Sequence, residues 1–366
     1  MKKRYGRYEL GEKVAEGGMA AVYQARLRGE AGFEKTVALK LLLSHLGSDP
    51  TYQKMFLDEA RIVARLDHPN LVEVYDLGKE GDDLYMAMEL VVGKSLAEIW
   101  DASQAKGVRI RGDVVAWIGA RVAEGLHHAH EMRDASGTPQ SLVHRDVSPS
   151  NILITFEGQV KLIDFGLVHA ADRLSKTSTG IVKGQLAYLS PEQTVGRVVD
   201  RRSDLFSLAV TLWELSADRR LFKEEVDEET VQRIRDAAVE DPTAFVPDYP
   251  SLLWLVLKRA LARAPEERYA TAADLARDLD GVARVEGSIL QAATLAEIMR
   301  ALFGSGPPAS TYLVRTRPDA PVVIRTPSQQ KTIVKRRRPW MEIAALGAIA
   351  LVVLLGGVAL GMSISK

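Results

Sequence analysis

The sequence predicts an α+β chain of two unequal lobes, a small antiparallel β lobe with one helix followed by a larger, mainly helical lobe. Three observations carry this. The first ninety residues alternate short apolar runs with turn signals, residues 95–282 carry helical periodicity broken by one strand pair near 151–164, and the composition is that of an ordinary globular protein. With 366 residues, 46% hydrophobic and 26% charged, the chain is long enough for two cores, which excludes a disordered, collagen-like or staple-dependent protein. It has no cysteine, so a disulfide framework, a thiolate metal site and a thiol nucleophile are all excluded.

The small lobe comes first. Tyr8–Val14, Ala20–Leu27, Thr36–Leu42, Leu71–Leu77 and Leu84–Leu90 read as five antiparallel strands. A helix interrupts them, with Asp49 as N-cap, Pro50 in the first turn and an end near Leu66. In the large lobe, Asn151–Phe156 and Gln159–Asp164 flank Glu157-Gly158 and read as a hairpin. Leu295, Ile298, Met299, Leu302 and Phe303 recur at helical spacing, a stripe expected to dock on the body. The expected organisation is a domain at 8–282 (small lobe 8–91, large lobe 92–282), a docked helical extension at 283–303, a Pro/Arg-rich linker at 304–338 and a membrane helix at 343–362.

The tail has its own chemistry. Residues 305–338 carry a balance of +7, against −7 for residues 1–304, so an acidic body meets a basic neck, which argues against nucleic acid as a partner. Ile343–Met362 is a run of 20 residues without charge, and at ~1.5 Å per residue that spans a ~30 Å hydrocarbon core. Lys335–Arg338 and Trp340 precede it, a pattern that keeps the body in the cytoplasm of a tail-anchored, single-pass inner-membrane protein. The opening Met1-Lys2-Lys3-Arg4 leads into no apolar stretch, so no signal peptide is expected, and the four residues after the apolar run leave no room there for an extracellular sensor. Gly357 and Gly361 form a GxxxG that suits a homodimer seam.

Several residues stand out chemically. If Glu157-Gly158 are the two turn residues, Asn151 faces Asp164 across the hairpin, and two oxygen donors so placed suit a hard cation such as Mg²⁺. Asn occurs twice in the chain, and Asp146 lies five residues before this one, in a stretch that Pro149 keeps from being a regular helix. Glu59 shares the apolar face of its helix with Met55, Phe56, Ile62 and Val63, so it needs a cationic partner, and Lys40 on the strand Val37–Lys40 is the candidate. Val14-Ala15-Glu16-Gly17-Gly18-Met19-Ala20-Ala21-Val22 joins the first two strands through small residues that let backbone amides approach a polyphosphate. It is not a Walker A loop, because no Gly-Lys-Ser/Thr follows. His127, His128 and His130 match no metal motif and read as ordinary helix-face histidines.

His144-Arg145-Asp146 with Asn151, then Asp164-Phe165-Gly166, then Ser190-Pro191-Glu192, in this order and on two lobes, resembles the eukaryotic-type protein kinase family over about residues 8–282. It looks most like bacterial membrane-anchored serine/threonine kinases, in particular the myxobacterial branch that writes the catalytic loop His-Arg-Asp-Val-Ser-Pro-Ser-Asn. The resemblance implies a two-lobed kinase fold and transfer of the ATP γ-phosphate to protein hydroxyls with Mg²⁺ or Mn²⁺. Lys40, held by Glu59, would contact the α- and β-phosphates, Asn151 and Asp164 would hold the metal, and Asp146 would accept the hydroxyl proton. Val14, Ala15, Gly17, Gly18, Val22, Ala38 and Leu153 would surround the nucleotide, with Met88 as gatekeeper and the Glu89 and Val91 backbones meeting adenine. Glu192 would pair with Arg268, and Asp204 would anchor the catalytic loop.

Departures from the family pattern accompany these matches. Ala15 and Ala20 replace two loop glycines, and Ala209 replaces a glycine on the central helix. Ser148 stands where serine/threonine kinases usually have lysine, and Gln185 where they usually have threonine, which opens the serine/threonine assignment to a dual-specificity or tyrosine alternative. A silent pseudokinase scaffold is a further rival, opposed by the intact Lys40, Glu59, Asp146, Asn151 and Asp164. Ser175, Thr177, Ser178 and Thr179 fall in the implied activation segment and are candidate autophosphorylation sites, with Arg145 available to receive a phosphate.

Overall fold

The small lobe is a six-stranded antiparallel sheet in the order β1-β2-β3-β4-β6-β5, comprising β1 (Arg4–Tyr5), β2 (Tyr8–Glu16), β3 (Ala20–Arg28), β4 (Glu34–Leu42), β5 (Val74–Glu80) and β6 (Asp83–Met88). The computed structural model describes residues 3–29, 32–165, 186–286 and 291–306. The run Val37–Leu42 is apolar almost without a break because both faces of β4 are covered. Val37, Leu39 and Leu41 join Tyr5, Tyr8, Tyr85 and Ala87 on one side. Leu42 joins Ala20, Met86, Phe56 and Ala60 on the other. Helix α1 (Pro50–Val63) supplies Phe56 and Ala60, and the Asp49 carboxylate caps it by accepting from the Thr51 amide at 2.8 Å.

One expected strand moves. The segment read as Leu71–Leu77 becomes extended sheet only from Val74. The backbone before it is taken by the other lobe, since Leu71 bridges Leu162 in parallel, the Leu162 amide donates to the Asn70 carbonyl at 2.8 Å, and the Val72 amide donates to the Leu162 carbonyl. Strand β1 and strand β7 (Gly93–Ser95) escape a reading by alternation because they are two and three residues long.

The large lobe begins at β7 and continues through α2 (Leu96–Ala105), started by a Ser95–Glu98 capping box, and α3 (Gly112–His130). Strands β7, β8 (Ile152–Thr155) and β9 (Val160–Leu162) form a second, three-stranded sheet. The helix Arg201–Ala217 is buried at every position from Ser203 to Ala217, as expected of a helix with neighbours all round, and Ala209 is among its fully enclosed residues. Helices at Ser251–Ala260 and Ala272–Glu286 complete the core, and a last helix, Ala292–Phe303, buries Leu295 and Met299.

The β8–β9 register differs from the expected one by a residue. Thr155 and Gln159 close the turn through the Thr155 amide and Gln159 carbonyl at 2.9 Å, and Gly158 sits at φ +86°, which makes a three-residue connection rather than a two-residue one. Leu153 therefore opposes Lys161, and Asn151 lies against Ile163, whose amide donates to the Asn151 carbonyl at 2.9 Å. Asn151 does not face Asp164 directly. The candidate membrane helix at 343–362 and the linker at 307–338 lie outside the described residues, and among the described residues no helix is long and apolar enough to cross a membrane.

Candidate active site

Strand β4 places Lys40 opposite Val22 on β3 and Met86 on β6, in the middle of the sheet and on the face that looks towards α1. Two and a half turns into that helix Glu59 is buried with Phe56, Ala60 and Val63, as its place on the apolar stripe requires. The Lys40 ammonium donates to the Glu59 carboxylate at 2.8 Å and to Asp164 of the large lobe at 2.9 Å. Burial opposes the lysine charge, but the Asp164 and Glu59 carboxylates more than offset it, so the ammonium is held above its ordinary value. One cation thus ties both lobes together at the cleft.

The catalytic loop hangs from the buried Asp204 on the Arg201–Ala217 helix. That carboxylate accepts from the His144 and Arg145 amides, each at 2.8 Å, and from His130 Nε2 at 2.8 Å. Arg145 lies at φ +67° and Asp164 at φ +54°, left-handed conformations that cost non-glycine residues ~1–3 kcal/mol and that cluster where surrounding structure enforces a functional geometry. Burial drives His144 towards its neutral form. Its Nε2 therefore donates to the Ile163 carbonyl at 3.1 Å while its Nδ1 accepts from the Asp146 amide at 3.3 Å, one tautomer that serves both neighbours. The ring also packs against Phe165 at a centroid distance of 4.6 Å, which joins the loop to the segment carrying Asp164.

Asn151 ends a short 3₁₀ turn that begins at Pro149, and its side-chain nitrogen donates to the Asp146 carboxylate at 3.0 Å and to the Asp146 carbonyl at 2.8 Å. That leaves the Asn151 amide oxygen and the Asp164 carboxylate as the hard oxygen donors, a set that fits Mg²⁺ or Mn²⁺ and offers nothing to a soft metal. Asn151 and Asp164 still end up on neighbouring stretches of backbone. The contact between Asn151 and Ile163 puts Asp164 immediately beyond the paired residue, and the left-handed turn at Asp164 takes over from the strand.

Strands and turns place the other expected site residues. Ala38 pairs with Met88, and the Glu89 amide closes on the Glu73 carbonyl at 2.8 Å. Leu153 is half-buried between fully buried Ile152 and Ile154, so it is the residue of β8 that presents a surface; Val91 is also half-buried. Val14 and Ala15 are exposed on β2, and the turn beyond them closes through the Gly17 amide and the Ala20 carbonyl at 2.9 Å. A Cβ at Gly18 would meet open space and one at Gly17 only a carbonyl at 3.8 Å, so neither packing nor backbone strain demands glycine there. Ser175, Thr177, Ser178, Thr179, Gly166 and Gln185 lie outside the described residues.

Away from the cleft, Glu192 meets Arg268 through two parallel hydrogen bonds of 2.8 and 2.9 Å, and Ser203 also donates to Glu192. Burial works against this carboxylate, yet the hydrogen bonds and charge of Arg268 hold it below the usual range. Some partners were missed in the sequence. His130 belongs with Asp204, and its signal was present, because it continues the stripe Val122, Ala123, Leu126 of α3 and a polar residue on such a stripe needs a buried partner. Lys161, which donates to the Glu89 carboxylate at 2.8 Å, had no comparable signal, since the pair is 72 residues apart and depends on the packing of β9 behind the segment after β6.

Comparisons with known proteins agree with this geometry. Residues 8–278 match the protein kinase domain family. The chain is 41% identical over 276 residues to "Tyrosine-protein kinase MasK" of Myxococcus xanthus, 38% over 277 to "Serine/threonine-protein kinase PknL" of Mycobacterium tuberculosis and 33% over 278 to "Serine/threonine-protein kinase PrkC" of Bacillus subtilis. These alignments cover 75–76% of this chain but only 43% of MasK, 66% of PknL and 41% of PrkC. The kinase domain of Mycobacterium tuberculosis PknI superposes with a TM-score of 0.57 at 27% identity, covering 77% of this chain and 98% of that one. A lysine shared between two carboxylates of different lobes, a loop hung from a buried aspartate and a match over most of the chain agree: this protein belongs to the protein kinase domain family.

Proposed function

We propose that this chain transfers the γ-phosphate of ATP to serine or threonine hydroxyls of proteins. The observation that carries the reading is a pair of contacts, Lys40 with Asp164 and Asn151 with Asp146, set next to each other by the backbone bond between Ile163 and Asn151. Because the chemistry of phosphoryl transfer is mostly positioning and charge neutralisation, this set suffices. Lys40, kept charged and aimed by Glu59, binds the α- and β-phosphates. Asn151 and Asp164 hold Mg²⁺ or Mn²⁺, which neutralises charge on the phosphates. Asp146, oriented by the Asn151 amide, accepts the proton of the attacking hydroxyl as the γ-phosphoryl group leaves ADP.

A second reading, tyrosine or dual specificity, has two observations in its favour. Ser148, two residues from Asp146, is buried and its hydroxyl has no hydrogen-bond partner among the described residues, and the relative named as a tyrosine kinase shares 41% identity. The two relatives named as serine/threonine kinases favour the first reading. Incubating the protein with Mg²⁺ and radiolabelled ATP, beside Asp164→Asn and Lys40→Ala variants, tests both. Label on the parent alone, found on serine or threonine, supports the proposal. Label on tyrosine replaces the specificity, and nucleotide binding without label refutes the activity.

We further read residues 343–362 as an inner-membrane anchor behind the basic linker, with the catalytic body in the cytoplasm, and Gly357 and Gly361 as a seam for a homodimer that would phosphorylate its own Ser175, Thr177, Ser178 or Thr179 in trans. Alkaline extraction of membranes tests the anchor, which a carbonate-soluble protein would refute. Phosphopeptide mapping of active protein tests the sites, and an unmodified 175–179 segment would refute them.

A further inference from the structure

The helix Ala292–Phe303 lies beyond the stretch that matches the family, which ends at residue 278, so nothing about the kinase reading accounts for it. Its placement is specific. Leu295 and Met299, one turn apart, are 4% and 1% exposed, and Ile298, Leu302 and Phe303 pack against the same core. The helix rests on α2 and on β8. At its N-terminal end it reaches the β8–β9 turn so closely that a Cβ on Gly158 would stand 1.8 Å from the Ala292 carbonyl oxygen. At its C-terminal end Lys106, just past α2, donates to the Ala301 carbonyl at 2.7 Å, and the ammonium of Lys94, on β7, stands 5.6 Å over the Phe303 ring. Just beyond, Gly306 meets Phe156 in the same β8–β9 turn.

These contacts share a target. Strand β7 follows the segment Glu89–Val91, which would meet adenine. Strand β8 begins directly after the metal donor Asn151 and carries Leu153, and its turn leads through β9 to Asp164. The helix therefore holds the three-stranded sheet at β7, β8 and the β8–β9 turn, the elements that lead to Glu89–Val91, Asn151 and Asp164. A helix of 12 residues is marginal by itself in water, so it is ordered by this docking.

We infer that the helix Ala292–Phe303 is a positioning clamp on the β7–β8–β9 sheet, so that its docking and the binding of Mg²⁺–nucleotide strengthen each other. The inference rests on the kinase reading for the identity of the ligand. Reciprocity then fixes the sign: whatever factor the docked helix adds to nucleotide affinity, bound nucleotide adds to helix docking.

Hydrogen exchange of the full chain, with and without Mg²⁺ and a non-hydrolysable ATP analogue, tests this without any mutation. The expected result is slower amide exchange across 292–303 on nucleotide binding, by a factor of about ten, within the usual range of coupling between two sites. The variant Leu295→Asp/Met299→Asp, with the helix released, should show a matching rise in KM for ATP and in the Mg²⁺ concentration for half-maximal rate, with a smaller change in kcat. A purely structural helix would instead lower the folded fraction and leave KM alone. Nucleotide that binds the parent and leaves exchange at 292–303 unchanged overturns the clamp and spares the kinase reading. A parent that binds no nucleotide overturns both.

Discussion

Two buried ion pairs of the same chemistry are built for opposite ends. In the large lobe Arg268 and Glu192 have side chains 0% and 7% exposed and meet through two bonds. The remaining guanidinium donors go to the carbonyls of Ala262, Arg263 and Arg202. In the small lobe Lys40 and Glu59 are nearly as buried, at 10% and 5%, but Lys40 divides itself between Glu59 and Asp164, whose side chain is 40% exposed. A rigid fork with every donor committed holds one geometry. A single ammonium on a flexible stem can keep one carboxylate and exchange another for a phosphate. The two pairs are alike in burial and differ in how many donors are already committed, which is what separates a fixed structural pair from the exchangeable one that the proposed function needs.

The sharpest way to break that comparison is to remove each cation. Lys40→Met should lower phosphoryl transfer by on the order of 10³ or more, because it deletes a charge aimed at the phosphates. Lys40→Arg should not restore it, since a planar fork does not replace a point charge there. Phosphate-release or labelling assays check this, and near-parental rates for Lys40→Met would end the assignment. Arg268→Ala should act on stability instead, costing ~3–5 kcal/mol in urea unfolding because Glu192 is left buried and unpaired. If Arg268→Ala unfolds as the parent does while losing catalysis, the roles of the two pairs are reversed.

Acid separates them more gently. The Glu192 pKa is depressed in the folded state, so its contribution to stability is present above the ordinary carboxylate value of 4.5 and is lost as pH falls below it. A thermal melting series from pH 6 to pH 3 should show a smaller loss of Tm for Glu192→Gln, which starts lower, than for the parent. Parallel curves would show that the pair carries no such linkage. The smallest effect belongs to an exposed pair. Arg277 and Asp274, 70% and 39% exposed, should contribute little, and Arg277→Ala should stay within ~0.5 kcal/mol of the parent in the same urea measurement.

Much of the site was legible because its residues violate the patterns around them. Glu59 on an apolar helix face, Lys40 in an apolar strand and one of two asparagines in the chain beside a proline-bounded loop each needed an explanation, and each has a partner in the structure. Register was harder to read. Glu157-Gly158 looked like a complete turn, but Phe156 joins it, and that one residue moves Asn151 from Asp164 to Ile163. The strand expected from Leu71 starts three residues late for a different reason: the backbone at Leu71 has a partner in the other lobe, and alternation of side chains carries no information about which distant strand will claim a backbone.

What the sequence determined by itself is therefore which polar groups needed partners and the two-lobe order, because periodicity, capping and misplaced charge are local properties of the chain. The Asp49 cap, the Ser95–Glu98 box and the inward face of α1 are all of this kind. Only the tertiary structure decided which groups share a proton or a charge. His130 with Asp204, Lys161 with Glu89, Lys40 with Asp164 and the seat of Leu295 and Met299 join residues brought together by packing alone, and hydrogen bonds and Coulomb forces this short depend on where the backbones finally stand.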